Sequence, residues 1–226
     1  MPPAQNSAKK PDRAHPAWQE KQQADTRRRI VEQAFELFLA RGVEEVKMTD
    51  IAGAVDIGVA TLYRWFGTKD RLVLQAGIHL WNAVARLLDG VFTSELFAQK
   101  SGLEQCRDLL KVFLAGYLGH TGYVRFLYEF DQMAARGAFT PADLAAYEAS
   151  ILDLRELARA AYRKGRTDGS IRELDFERFY FSATHALMAL AQKLVCSGEL
   201  LESDRAVSGE EQLRTVIEMA IAYIKN

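Results

Sequence analysis

Between Lys47 and Arg71 the chain reads KMTDIAGAVDIGVATLYRWFGTKDR, and the side chains there that could do chemistry are those that could hold or read a nucleic acid. At ~100° per residue, a helix that turns Leu62 and Phe66 inward leaves Ala60, Thr61 and Arg64 facing out, with Val59, Tyr63 and Trp65 on the flanks. Small side chains let a helix approach base edges, and a guanidinium can then grip a guanine by two hydrogen bonds. Arg64 is therefore the candidate for base readout, and Val59, Ala60 and Thr61 are candidates for close base or thymine-methyl contacts. Tyr63, Thr49 and Lys69 would hold phosphates, with Lys47 a weaker candidate. Lys69 follows Thr68, which can cap a helix whose first N–H groups and dipole favour an anion. Any amphipathic helix has an outer face, so periodicity alone also allows a packed helical hairpin that merely meets water.

Positioning such a face takes two short helices joined by a sharp turn, each with an apolar inner side. Ile51, Ala52 and Val55 supply the first inner side, Ile57 plugs the turn, and Leu62 with Phe66 supplies the second. A helix from near Asp25 or Thr26 to Gly42 lays Ile30, Ala34, Leu37 and Phe38 against the pair. Arg27, Arg28 and Arg29 fall in its first turn, where the helix dipole disfavours cations and a nearby polyanion would offset the cost.

In these residues the segment resembles the DNA-binding region of the TetR family of bacterial regulators. The likeness rests on Ile30, Ala34 and Phe38 before Gly42, then Asp50-Ile51-Ala52, Thr61-Leu62-Tyr63, Phe66, and Lys69-Asp70 followed by Leu72. It is dense from Ala24 to Leu80; beyond that only the helical layout is similar. Three positions depart from the family pattern: Lys47 in place of a Ser or Thr cap, Asp56 in place of the turn Gly, and Gly58 in place of a hydroxyl cap. Gly is a usable cap without an acceptor, and Asp tolerates turn geometry less well than Gly but better than most residues.

The resemblance implies an all-α fold, with an N-terminal helix-turn-helix three-helix domain and a C-terminal helical domain for effector binding and dimerisation. The expected division is 1-23 as a flexible basic arm, 24-71 as the DNA-binding domain and 72-226 as the remainder. With 226 residues, 49% hydrophobic and 26% charged, the chain is an ordinary soluble globular protein with room for both parts. Its net charge of −1 neither favours nor excludes DNA, because only local clustering of basic groups counts. Cys106 and Cys196 lie in apolar helical patterns and read as free, buried thiols in a reducing cytosol. No apolar run reaches the ~18 residues of a membrane span, and the polar start is no signal peptide, so the expected location is the cytoplasm.

Past Arg71 the pattern predicts a helix from Lys69 to Asp89, a loop from Gly90 to Lys100, and a helix opened by the capping box Ser101 to Glu104. A shorter helix holds the aromatic stretch Tyr123 to Phe130, and Thr140-Pro141 starts another that ends near Gly165. The last two run from Asp175 to about Cys196 and from Ser208 to Lys225. Trp81, Phe113, Tyr117, Phe126, Phe130, Met133, Tyr147 and His185 are candidates to line an effector pocket, although plain core packing is open for each aromatic. In TetR-like proteins the last two helices form a four-helix bundle with a second subunit. That implies a homodimer interface of Phe179, Tyr180, Ala183, Leu187, Leu190, Leu213, Val216 and Ala220.

No phosphate-binding loop, nucleophile elbow or HExxH motif is present, and His15, His79, His120 and His185 share no ligand spacing. No catalytic residue, metal or cofactor is expected. The reading is a DNA-binding repressor of a palindromic operator, released by a small hydrophobic or aromatic effector. A small-molecule-binding helical protein, or an all-helical enzyme, with a purely structural helix-turn-helix is the alternative.

Overall fold

The computed structural model describes residues 16–198 and 200–226. Among them every regular element is a helix: α1 (Pro16–Arg41), α2 (Met48–Ala54), α3 (Val59–Phe66), α4 (Lys69–Phe92), α5 (Glu95–Gln99), α6 (Gly102–Gly119), α7 (Thr121–Ala135), α8 (Pro141–Asp168), α9 (Phe176–Cys196), a 3-10 turn (Glu202–Arg205) and α10 (Gly209–Ile224). A lone antiparallel bridge between Ile171 and Lys225 ties down the C-terminus. None of these helices is long and apolar enough to cross a membrane.

Several helix starts fall where a side chain can satisfy the free N–H groups of the first turn. Thr68 Oγ1 accepts the Arg71 N–H at 3.2 Å. Ser101 Oγ accepts the Glu104 N–H at 3.3 Å while the Glu104 carboxylate accepts the Ser101 N–H at 2.8 Å. Ser208 and Glu211 repeat the arrangement at the start of α10, as do Thr140 and Asp143 ahead of Pro141. Gly169, at φ 78°, ends α8 in the left-handed conformation that needs no side chain.

Two stretches expected to be irregular are helical. Helix α1 begins at Pro16 rather than near Asp25, so residues 16–23 of the expected arm are helix; residues 1–15 lie outside the described part. Proline suits a first turn, and the Glu, Lys, Gln and Ala residues after it are strong helix formers that need no packing partner. Ser94 likewise caps the short α5, accepting the Phe97 N–H at 3.2 Å.

Two apolar cores share the chain. The first joins Ile30, Ala34 and Phe38 of α1 to Ile51 of α2, Leu62 and Phe66 of α3, the first half of α4, and Phe126 and Phe130 of α7. Each large aliphatic side chain buried there contributes roughly 1.5–3 kcal/mol. The second core gathers α6, α8, α9 and α10 around Leu110, Leu187, Leu213 and Ile217.

The second core corrects the stripe expected to face a partner subunit. Phe179, Ala183, Leu187 and Leu213 are buried within the chain's own core, and Tyr180, Leu190, Val216 and Ala220 are half-buried against it. Helix α9 is apolar on two adjacent sides; the bulkier one packs inward and leaves its neighbour, bearing Phe181, Ala186 and Ala189, exposed. Of the two thiols expected to be buried, Cys106 is buried and Cys196 is exposed.

Candidate nucleic-acid interface and cavity

The turn between α2 and α3 closes by backbone bonds. The Asp56 N–H donates to the Gly53 carbonyl at 3.3 Å and the Ile57 N–H reaches back to the Ala52 carbonyl at 3.0 Å. This is the pattern of a helix ended by a left-handed residue, and Asp56 has the φ of 55° that it requires. The Asp at this position is thus accommodated by adopting the conformation a glycine would take. At the start of α2 the Lys47 side chain, which has no acceptor atom, cannot cap the helix. Asp50 accepts the Lys47 N–H at 3.1 Å instead and pairs with Arg41 at 2.9 Å. That backbone N–H, aided by the Arg41 guanidinium, holds the Asp50 carboxyl below its usual range.

With Leu62 and Phe66 buried, helix α3 exposes Val59, Ala60, Tyr63 and Arg64 in one stripe, Tyr63 to 49%. Thr61 is half-buried, so the outer face is turned slightly toward Val59 and Tyr63 relative to the sequence expectation. Arg64 has no hydrogen-bond or ion-pair partner among the described residues. Lys47 and Thr49 are exposed at the start of α2. Lys69 is more engaged: its Nζ donates to the Glu44 carbonyl at 3.2 Å, and burial lowers its pKa against the opposing pull of Asp70 and Glu44. An ammonium carries three donors, which leaves two free to meet a phosphate.

The three arginines placed by sequence in a first turn lie mid-helix, and two of them brace the motif from behind. Arg27 donates to the Trp65 carbonyl at 3.1 Å and lies over the Phe66 ring, 5.4 Å from its centroid. Arg29 donates to the Val55 carbonyl at 3.2 Å. Both therefore satisfy carbonyls at the C-terminal ends of α3 and α2, where the dipole favours a cation. Arg28 pairs with Asp25 at 3.0 Å. The only trace of this in the sequence is spacing: Arg27 and Arg29 flank the apolar stripe that begins at Ile30.

Helix α7 holds the other end of α1. Glu129 accepts the Val43 N–H at 2.6 Å, and Arg125 donates to the Leu39 carbonyl. The same helix turns Tyr123, Val124 and Leu127 toward a cavity of about 130 Å³ lined by α4, α6, α7, α8 and α9. Of the eight pocket candidates, Trp81 and Phe113 line this cavity. Phe126 and Phe130 are buried in the first core, Met133 packs on it, and Tyr147 stacks on Phe130 at 4.2 Å between ring centroids. The Tyr147 hydroxyl accepts the Trp81 Nε1–H at 2.7 Å, and burial pushes its pKa up. Tyr117 packs on the second core, and His185 is exposed on α9 beside Phe181. The aromatic stretch of α7 mostly faces α1 rather than the cavity. Aliphatic residues such as Leu88, Leu109, Leu110 and Met188 do most of the lining, and no local sequence signal separates these from ordinary core.

Among the described residues no group of His, Cys, Asp and Glu gathers as metal ligands. Residues 30–76 match the family model described as Bacterial regulatory proteins, tetR family. A TetR transcription regulator from Haloarcula marismortui ATCC 43049 is similar in structure over 90% of this chain and 100% of its own, at 16% identity and a TM-score of 0.70. A Saccharomonospora viridis protein in complex with choline is similar over 90% of this chain and 99% of its own, at 18% identity and a TM-score of 0.68. The TetR family regulator PfmR from Thermus thermophilus covers 86% of this chain with 97% of its own, at 20% identity and a TM-score of 0.55. No curated protein matches the chain. Residues 30–76, which hold the helix-turn-helix, therefore match the bacterial regulatory proteins of the tetR family, on a chain that shares the fold of the Haloarcula marismortui TetR transcription regulator over 90% of its length.

Proposed function

We propose that the protein is a homodimeric repressor, acting in the cytoplasm, whose two recognition helices occupy successive major grooves of a palindromic operator, ~34–36 Å apart. Residues 24–71 would bind the DNA, with α1 continuing that unit back to Pro16, and residues 72–226 would bind an effector and dimerise. The observation that carries the reading is the exposed stripe Val59, Ala60, Tyr63 and Arg64 on a helix whose opposite side is buried. Arg64 would read a guanine, while Val59, Ala60 and Thr61 make close base contacts. Tyr63, Thr49, Lys69 and, more weakly, Lys47 would hold phosphates.

The dimer would form through the exposed side of α9 and α10, where Phe181, Ala186, Ala189, Met219 and Ala222 meet solvent and Met219 is 66% exposed. The effector would enter the cavity and favour a state in which α4 has shifted. Trp81, Val84 and Leu88 of α4 line the cavity, and the same helix begins at Lys69 beside the motif. Such coupling is reciprocal: operator must weaken effector binding by the factor by which effector weakens operator binding. A choline-like cation would meet aromatic walls here but no carboxylate, so a hydrophobic or aromatic effector fits better.

Selection of bound sequences from random duplexes with the purified protein tests the proposal. Recovery of an inverted repeat, bound with an affinity that falls steeply with salt as counterions are released, is the expected result. Failure to enrich any duplex in dilute salt would leave the helix-turn-helix a structural element only.

A further inference from the structure

The geometry points to a small, uncharged, hydrocarbon-like molecule of about one six-membered ring, a monocyclic aromatic or alicyclic compound, as the ligand of the cavity walled by α4, α6, α7, α8 and α9. The inference rests on the effector reading of that cavity and narrows it to a ligand class.

Charge is the first discriminator. Among the described residues that line the cavity there is no Asp, Glu, Lys, Arg or His, and polar atoms form only a small part of the wall. An ion entering it would lose its hydration and find no counter-charge, a cost that buried charges escape only when paired. Two of the polar side chains that line it are already engaged, and beside them only the Tyr123 and Tyr180 hydroxyls are left to offer a ligand a hydrogen bond. The Trp81 Nε1–H is donated to the Tyr147 hydroxyl at 2.7 Å, and the Thr184 hydroxyl donates to the Tyr180 carbonyl of its own helix at 2.8 Å. Cys106 keeps its proton, because burial pushes the thiol up to about 12. A ligand rich in hydrogen-bonding groups would exchange water for walls that offer it few partners.

Size is the second. A cavity of about 130 Å³ is close to the roughly 150 Å³ apolar cavity that accepts benzene, and well below the ~300–1,000 Å³ of sites for drug-sized ligands. A ring suits the composition of the wall, which combines the aromatic Trp81, Phe113, Phe179 and Tyr180 with the aliphatic Leu109, Leu110 and Met188.

The test is calorimetric titration of the full-length protein with toluene, benzoate and tetramethylammonium. Toluene is expected to bind at least about tenfold more tightly than either ion; equal or tighter binding of benzoate or tetramethylammonium overturns the inference. Ala191→Leu on α9 and Ala158→Leu on α8 fill the cavity from different walls. Each is expected to weaken toluene about tenfold or more, with circular dichroism showing that the variant folds. Toluene affinity unchanged in a folded variant of both kinds overturns the assignment to this cavity. A reading that needs no filling variant is the emission of Trp81 in a Trp18→Phe/Trp65→Phe background: toluene should shift or quench it, and a silent Trp81 counts against the proposal. Affinity for the selected operator duplex is measured on the same samples. Toluene binding that leaves operator affinity untouched sustains the ligand class and refutes the effector role.

Discussion

Replacing Asp56 by Gly should stabilise the protein by about 0.5–1 kcal/mol. Asp56 is the one non-glycine residue at positive φ among the described residues, at 55°. An L-residue there brings Cβ against its neighbouring carbonyl at a cost of roughly 1–2 kcal/mol, with Asp among the better tolerated. Glycine removes that crowding but gives the unfolded chain more freedom, which returns about 0.5–1 kcal/mol. Asp56 also places a carboxylate just past the C-terminus of α2, where the dipole disfavours an anion. Asp56→Asn removes the charge and keeps the backbone preference, so it isolates the electrostatic part. Asp56→Val, β-branched and ill-suited to this conformation, should lose roughly 1–2 kcal/mol. The assay is urea unfolding at one fixed protein concentration, because the stability of the proposed dimer would depend on concentration. In a heat scan each kcal/mol corresponds to about 2–4 °C in a chain of this size. An Asp56→Gly protein less stable than the parent, or no more stable than Asp56→Asn, would refute the reasoning, since the left-handed turn would then cost the Asp nothing.

Four further outcomes are expected. Arg64→Ala should cost ~1–3 kcal/mol on the selected operator and relax preference at one base position, measured by competition among single-base variants of that operator. Lys69→Ala should weaken all duplexes alike and reduce the slope of log affinity against log salt by about one; an unchanged slope would show that its ammonium serves only the Glu44 carbonyl. Glu129→Ala leaves the Val43 N–H without its 2.6 Å acceptor and should destabilise by ~1.5–3 kcal/mol in urea, with Glu129→Gln recovering most of the loss. Stability should also fall in acid. Serine hydroxyls hold the Glu104 and Glu211 carboxyls below their ordinary 4.5, and the Thr140 hydroxyl holds Asp143 below 3.8. The folded chain therefore binds these protons less tightly than the unfolded one, so their contribution is present above the ordinary values and is lost as pH drops through the folded ones. His79, lowered by burial, adds a loss that begins below about 6.5, while Asp131, raised by burial, opposes it over its own titration. Urea midpoints at a series of pH values check the sign; a midpoint that rises on acidification would contradict it.

What could be read from the sequence was what a few neighbouring residues decide. Ser101 with Glu104, Ser208 with Glu211, and Thr68 each determine a helix start through contacts at most three residues away, and all stand where expected. Ile51, Leu62 and Phe66 were legible because a helix-turn-helix has only one inner side to bury. The cavity was not, because its wall is assembled from five helices: Val124 and Phe126 sit two residues apart on α7, yet Phe126 packs against Phe35 and Phe38 of α1 while Val124 lines the cavity. Helix α9 misled for a related reason. Two adjacent apolar sides compete for the interior, and the choice of Leu187 over Ala186 depends on α6 and α10, not on α9 itself. Arg27 and Arg29 carry charge, which suggests a partner outside the chain, whereas their partners are the carbonyls of Trp65 and Val55.

Those two arginines separate the frame of the motif from its contents. Helices of seven and eight residues are too short to persist alone, and here they are clamped at their far ends by α1 and filled from beneath by Leu62 and Phe66. The groups those arginines hold are the Trp65 and Val55 carbonyls and the Phe66 ring, not the exposed side chains of Val59, Ala60, Tyr63 and Arg64. The lettering on the outer surface can therefore be rewritten, residue by residue, while the tray that carries it stays as it is. If it reads DNA as proposed, a chain built this way can drift to a new address on the chromosome without first having to relearn how to fold.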